Sequence, residues 1–203
     1  MKSNLIAAHE RLKTYFAARG YDVLDAEALR AFLQARIADR ARSVVVFAMD
    51  DLPDALRDNA RGRGLLRRYL DAGGKVVWPG LPPALFKVDR ASGQVDVGTL
   101  DRSRPEALVG VRFQRGNFDP LSEHVTAAGR RWNLDGWWNG TWSADADSVT
   151  TVLARDENGD AGMYVKTYGG PDGSGFVGMM VPEAETTTHF LGMLQVAAEL
   201  FPR

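Results

Sequence analysis

LLRRYLDAGGKVVWPGLPP, residues 65–83, turns from a helical pattern into a strand pattern across two glycines. Leu65, Leu66, Tyr69 and Leu70 recur at helical spacing, Gly73-Gly74 stops the helix, and Lys75-Val76-Val77-Trp78 follows at once as a strand. Upstream, Ser43 to Met49 is a continuous apolar run rich in β-branched residues. Such a run suits a strand covered on both faces, which is the mark of a parallel sheet. Strand, helix and strand joined by short connections imply parallel pairing through a right-handed crossover.

Working outward, residues 3–19 read as an amphipathic helix with Ser3 as cap, Leu5, Ala8, Leu12 and Phe16 on one face, and Gly20 as its stop. Tyr21 to Leu24 reads as a short strand, and Asp25 as the N-cap of a second helix with Leu29, Phe32, Leu33 and Ile37 inward. Downstream, Phe86 to Val97 reads as a hairpin about Ala91-Ser92-Gly93, and Pro105 to Val109 as one helical turn. Val149 to Ala154, the turn residues Asp156 to Gly159, and Met163 to Lys166 form a strand pair. The glycine-rich stretch Gly169 to Gly175 then leads into a strand from Phe176 to Val181, and a last helix starts near Glu185. The expected fold is a single α/β domain over residues 1–203. It is a flavodoxin-like three-layer sandwich whose parallel core sheet is extended by antiparallel strands.

The chain has 203 residues, 25 Lys and Arg against 26 Asp and Glu, and no cysteine. A formal net charge of −1 gives no basic excess for nucleic acid. The lack of cysteine removes disulfides, a thiolate nucleophile and any Cys-ligated metal. No His/Asp/Glu set has metal-ligand spacing, so no metal and no cofactor is expected. No apolar run approaches the ~18 residues of a membrane span, and the N-terminus lacks an apolar signal core, so no membrane association and a cytoplasmic location are expected.

The stretch YLDAGG feeding KVVWPG in residues 69–80 resembles the class I glutamine amidotransferase-like superfamily, in its trehalose-utilisation-like and glycosidase-associated branches. The pairing of VTTVLARDENGDAGMYVKTYGG (149–170) with GSGFVGMM (173–180) is similar to the antiparallel region of those domains. The resemblance, over about residues 20–181, implies that the strand after Gly73-Gly74 leads to a nucleophile elbow. A glutaminase carries Cys directly after the elbow glycine, whereas Gly80 here precedes Leu81-Pro82-Pro83, and no His-x-Glu occurs. Glutamine hydrolysis is excluded on this pattern. Such domains also open with a strand before the first helix. Here either the chain is trimmed or another segment fills that sheet position.

Ligands of open parallel sheets bind beyond the carboxyl ends of the strands, which points to Asp50, Asp51, Gly80 and Leu81. Asp50 and Asp51 could bind a cation or act as acid and base; ahead of Leu52-Pro53 they equally suit a turn or helix cap. RRWNLDGWWNGTW, residues 130–142, gathers Trp132, Trp137, Trp138 and Trp142 with Arg131 and Asn139. Indole faces stack on sugars while Arg and Asn give directional hydrogen bonds, but the same indoles could cover the core edge or a subunit contact. His124 is the histidine nearest this stretch. The Gly169 to Gly175 loop suits an anion cradle or a plain hairpin connection. The arginines of residues 61–68 suit a solvated helix face.

The expected function is a non-catalytic amidotransferase-like module that binds a small polar ligand of sugar type or serves as an interaction domain, with Asp50, Asp51, Gly80, Leu81, His124, Arg131, Trp132, Trp137, Trp138 and Asn139 as its contacts. The alternative is a carboxylate-dependent hydrolase of a carbohydrate or related substrate, using Asp50 and Asp51 with His124. A third expectation is a homo-oligomer with the tryptophan segment at its contact.

Overall fold

The two valine-rich runs lie side by side in the computed structural model, which describes residues 4–49, 52–53, 56, 64–88, 95–113, 121–140, 142–179 and 188–199. In chain order the elements are α1 (Asn4–Ala17), α2 (Ala26–Asp39), β1 (Val44–Val46), α3 (Leu65–Asp71), β2 (Lys75–Pro79), β3 (Lys87–Val88), β4 (Val95–Asp96), α4 (Ser103–Val109), β5 (Leu121–Val125), α5 (Ala127–Arg131), β6 (Trp137–Gly140), β7 (Thr151–Arg155), β8 (Ala161–Lys166), β9 (Gly175–Met179) and α6 (Thr188–Glu199). Seven strands form one sheet in the order β1-β2-β9-β8-β7-β5-β6, and β3 and β4 make a separate antiparallel pair. β1, β2 and β9 are parallel, with Val45 opposite Val76 and Val77 opposite Val177. From β9 onward every neighbour is antiparallel.

Alternation along the central strands explains why their sequences are apolar throughout. Val76, Trp78 and Phe176 face one core with Leu29 and Leu33 of α2, Leu66, Tyr69 and Leu70 of α3, and Val109 of α4. Val77, Val177 and Met179 face the other core with Leu12 and Phe16 of α1 and Phe190, Met193 and Leu194 of α6. A strand sandwiched in this way has no solvent side on which to place polar residues. The result is a three-layer α/β sandwich with a parallel core extended by antiparallel strands.

Local chemistry fixes the joints. Asp25 caps α2, its carboxylate accepting the N–H groups of Glu27 at 3.0 Å and Ala28 at 2.8 Å. The short strand expected at Tyr21 to Leu24 is not formed. Tyr21 N–H bonds back to the Phe16 carbonyl at 3.2 Å, and its ring packs edge-on against Phe16 at 5.0 Å. That segment completes the exit from α1, and among the described residues the sheet ends at β1. The stretch 121–140 has more structure than its sequence suggested: β5 and α5 form where no element was assigned, and β6 lies within the tryptophan-rich stretch 130–142. Thr126 caps α5, accepting Gly129 N–H at 3.1 Å and donating its hydroxyl to the Val152 carbonyl at 2.8 Å. Ser3, the arginines at 61 and 63, and the start expected for the last helix lie outside the described residues.

Candidate functional site

At the carboxyl end of β2 the chain turns at Gly80, whose φ of 138° strains any residue with a side chain. Two bonds pin this corner. Gly80 N–H donates to the Met179 carbonyl at 2.9 Å, and the Trp78 indole N–H donates to the Leu81 carbonyl at 2.7 Å. Next to it, Tyr164 of β8 lies over Gly178 of β9 so closely that a Cβ there would collide with the phenol ring. Trp78 and Tyr164 stack on opposite flanks of Phe176, at 6.3 and 6.4 Å, and Phe113 meets Tyr164 edge-on at 6.2 Å. Trp142, buried with Leu85 and Phe86, closes the far wall. Trp78, Phe113, Trp142 and Tyr164, with Gly80 and Pro82, line a cavity of about 10 Å³, the scale of one water molecule.

Against this cavity sits a carboxyl group. Glu123, on β5, is wholly buried. It occupies the space that Gly140 and Gly162 leave by having no side chain, and a Cβ on either would overlap its carboxylate. Gly162 also lines the cavity, so the carboxyl packs against one residue of the cavity's lining without itself lining it. Oε1 accepts a long hydrogen bond from the Ser143 hydroxyl at 3.4 Å, while Oε2 has no partner among the described residues. Burial pushes this carboxyl up to about 8, the negative charges of Asp156 and Asp160 add to the rise, and the Ser143 hydroxyl opposes it. Asp156 is itself buried and accepts the N–H groups of Asn158 and Asp160, each at 2.9 Å, across the β7–β8 turn. At neutral pH Glu123 therefore holds its proton.

The residues singled out from sequence do not converge on this point as a set. Gly80 lines the cavity, and Leu81 packs partly buried against Leu85, Phe86 and Trp142. His124 is exposed and stacks on Trp137 at 6.4 Å, with Trp137 59% exposed at the edge strand β6. Being next to Glu123 in a strand, His124 points to the opposite face. Arg131 is exposed at the end of α5. Trp132 packs partly buried against the core of α1 and α6, and the Lys75 ammonium lies 5.2 Å from the centre of its ring. Trp138 and Asn139 take backbone positions opposite Glu123 and Ser122. Asp50 and Asp51 lie outside the described residues. Among the described side chains of the tryptophan cluster, Trp142 lines the cavity, joined there by Trp78.

Glu123 was not anticipated, although its strand carries the signal. In Leu121-Ser122-Glu123-His124-Val125 the alternation sets Glu123 on the side of Leu121 and Val125, so a carboxylate falls on the apolar face of a strand.

A second opening, a groove of about 640 Å³, runs along β1 between α1, residues 21–25 and α2, with Leu12, Phe16, Tyr21, Phe32 and Val45 among its walls. Val23, Leu24 and Met49 are exposed beside it. Of its acidic residues Glu10, Asp22 and Asp25, Asp25 is already engaged as a helix cap, and none of the buried side-chain atoms left without a partner among the described residues borders it. Among the described residues no group of three His, Asp or Glu side chains could hold a metal ion, and no helix is long and apolar enough to cross a membrane.

Comparison with protein families matches residues 3–199 to the model described as MJECL34 family. No curated protein and no solved structure matches.

Proposed function

The chain belongs to the MJECL34 family, and from its geometry we propose that it is a non-catalytic binding module that takes the polar head of a small ligand into the cavity beside Glu123. One observation carries this reading: a fully buried carboxyl group, with an oxygen that has no partner among the described residues, packs against Gly162, which lines an aromatic-walled cavity. An unsatisfied buried polar atom costs about 1–3 kcal/mol, and on this reading a small shift about Gly162 lets a ligand donor reach the oxygen and remove that penalty. The location agrees with the rule for open parallel sheets, since Gly80 and Met179 end the parallel strands there.

The corner supports binding better than bond-breaking chemistry. The likeness to amidotransferase-like domains would set a nucleophile after Gly80, where Leu81 packs an aliphatic side chain against Leu85 and Phe86. Ser143 spends its hydroxyl on Glu123, and His124 stands on the opposite face. A cavity of about 10 Å³ admits one head group, a sugar hydroxyl or an amine, with the rest of the ligand outside.

The test is a titration of the full chain with monosaccharides, polyols and simple amines, followed by tryptophan emission and calorimetry, on the natural protein and on Glu123→Gln. We expect at least one class to saturate and to lose affinity in Glu123→Gln. If no class binds, and Glu123→Leu folds with unchanged spectra and higher stability, the carboxyl is a structural feature and the proposal falls. Turnover of a glycoside that Glu123→Gln abolishes would also overturn it, in favour of a carboxylate-dependent hydrolase.

A further inference from the structure

We propose that the open edge of β1 is a docking site for an extended peptide strand, apolar over its central residues and flanked by Lys or Arg. Four strands, β2, β9, β8 and β7, separate this edge from β5 and Glu123, so the proposal does not rest on the binding-module reading. Backbone direction carries it. In a parallel ladder, alternate residues of a strand turn their N–H and C=O groups to the same neighbour. The Ser43 carbonyl accepts Lys75 N–H at 3.1 Å, and Phe47 N–H donates to the Val77 carbonyl at 3.0 Å, so residues 43, 45 and 47 are turned to β2. Val44 and Val46 therefore present their N–H and C=O groups to the other side, where among the described residues no strand pairs with β1.

The groove of about 640 Å³ runs along that side. Leu12 and Phe16 of α1 wall it over one face of the sheet, and Leu29 and Phe32 of α2 over the other. A strand laid beside β1 sets successive side chains against α1 and α2 in turn, so it must be apolar at every central position, as β2 is. The row of donors and acceptors selects a strand over other apolar occupants, since a helix bonds its backbone groups internally and an acyl chain has none. Charge selects the flanks. Of the acids that line the groove, Glu10 pairs with Lys13 at 3.5 Å, which leaves Asp22 and Asp25. Both lie in the segment that carries the exposed Val23 and Leu24, where a basic residue next to the apolar run meets them. A second copy of this chain would bring the same acids to the contact, and like charges there oppose self-pairing.

The probe is a labelled synthetic peptide, acetyl-Lys-Val-Ile-Val-Ile-Lys-amide, added to the full chain. Its companions are the same peptide N-methylated at alternate residues and a version with Glu in place of both Lys. Fluorescence anisotropy reads binding, and amide hydrogen exchange reads the Val44 and Val46 N–H groups. The expected result is saturable binding with slowed exchange at Val44 and Val46, and binding at least about tenfold weaker for the N-methylated and Glu-flanked peptides. Glu123→Gln should leave the affinity unchanged. Val46→Pro removes an outward N–H at an edge position where Pro is tolerated, and should weaken binding by a similar factor; should that variant not fold, the N-methylated peptide still decides. Equal affinity of the N-methylated peptide would overturn the strand pairing, and equal affinity of the Glu-flanked one would overturn the basic partner. Absence of binding would overturn the site. A concentration-dependent dimer that slows exchange at Val44 and Val46 without peptide would overturn the peptide in favour of a second copy.

Discussion

Replacing Glu123 by Gln removes one ionisation while keeping the shape of the side chain, and its effect on stability follows from burial. In an unfolded chain this carboxyl ionises near 4.5, and in the fold near 8. Between those limits the unfolded chain sheds a proton that the native protein keeps, so stability falls as pH rises. The slope reaches about 1.4 kcal/mol per pH unit. For a side chain with no exposed surface, the loss is on the order of 3 kcal/mol at pH 7 and 5 kcal/mol above pH 8. Below the unfolded value the group is neutral in both states and contributes no such penalty. Gln cannot ionise, so Glu123→Gln should gain on the natural protein steadily from pH 5 to pH 8 and hold a constant advantage above that. Asp156 and Asp160 are present in both proteins, so the difference isolates position 123. Urea unfolding followed by tryptophan emission at pH 5, 6, 7, 8 and 9 measures it directly. Two parallel stability–pH curves would mean that Glu123 is ionised in the native state, and the account of a buried protonated carboxyl would be refuted.

Lys75 gives the mirror case. It is wholly buried at the start of β2, and burial lowers its ammonium from 10.5 to about 8. Between those values the unfolded chain holds the extra proton, so the natural protein should gain about 3 kcal/mol on Lys75→Met from pH 8 to pH 10.5; equal slopes in urea unfolding would refute this. Gly162→Ala should cost about 1–3 kcal/mol or prevent folding, because its methyl would overlap the Glu123 carboxylate. A double-mutant cycle with Glu123→Ala should show most of that cost disappear, and strict additivity would refute the contact. Trp142→Ala should cost about 3–5 kcal/mol as a buried ring, whereas Trp137→Ala, at the exposed edge of β6, should stay within about 0.5 kcal/mol. Thermal unfolding of the two separates them, and equal losses would refute the assignment of Trp142 to the cavity wall.

The parts of the fold that were legible are those whose signal is local. Gly73-Gly74 between an i, i+3, i+4 stripe and a valine run announced α3 and β2, and Asp25 announced the cap of α2 because its carboxylate answers N–H groups only two and three residues away. The antiparallel extension through β7, β8 and β9 was legible for the same reason, as turn residues at 156–159 close β7 onto β8 within a few positions. Tyr21 to Leu24 misled because its pattern fits a strand, yet the outcome was set by a bond and a ring contact back to Phe16 that propensity does not register. The segment 121–140 misled in the opposite sense. Gly140 reads as a residue that loosens the backbone, but Gly129 and Gly140 have no room for a side chain because the Leu153 carbonyl and the Glu123 carboxylate press on them.

The same distinction explains why the candidate site was only half visible. The topological rule points to the end of β2, and Gly80 there lines the cavity. What gives the corner its chemistry comes from far along the chain: Glu123 from β5, Gly162 and Tyr164 from β8, Trp142 and Ser143 from the segment between β6 and β7. Tryptophan density was a poor guide because the three indoles whose surroundings are described go to three environments, Trp132 to the opposite core, Trp137 to the edge and Trp142 to the cavity. A charged residue in register with the apolar side of a strand was the better clue. Such a carboxyl needs neighbours that yield space, and here two glycines on adjoining segments, Gly140 and Gly162, yield it. An acid on a buried strand face, given room by glycines on other strands of the sheet, is therefore a pattern for a buried proton-holding group, and it depends on how the strands are arranged rather than on any local motif.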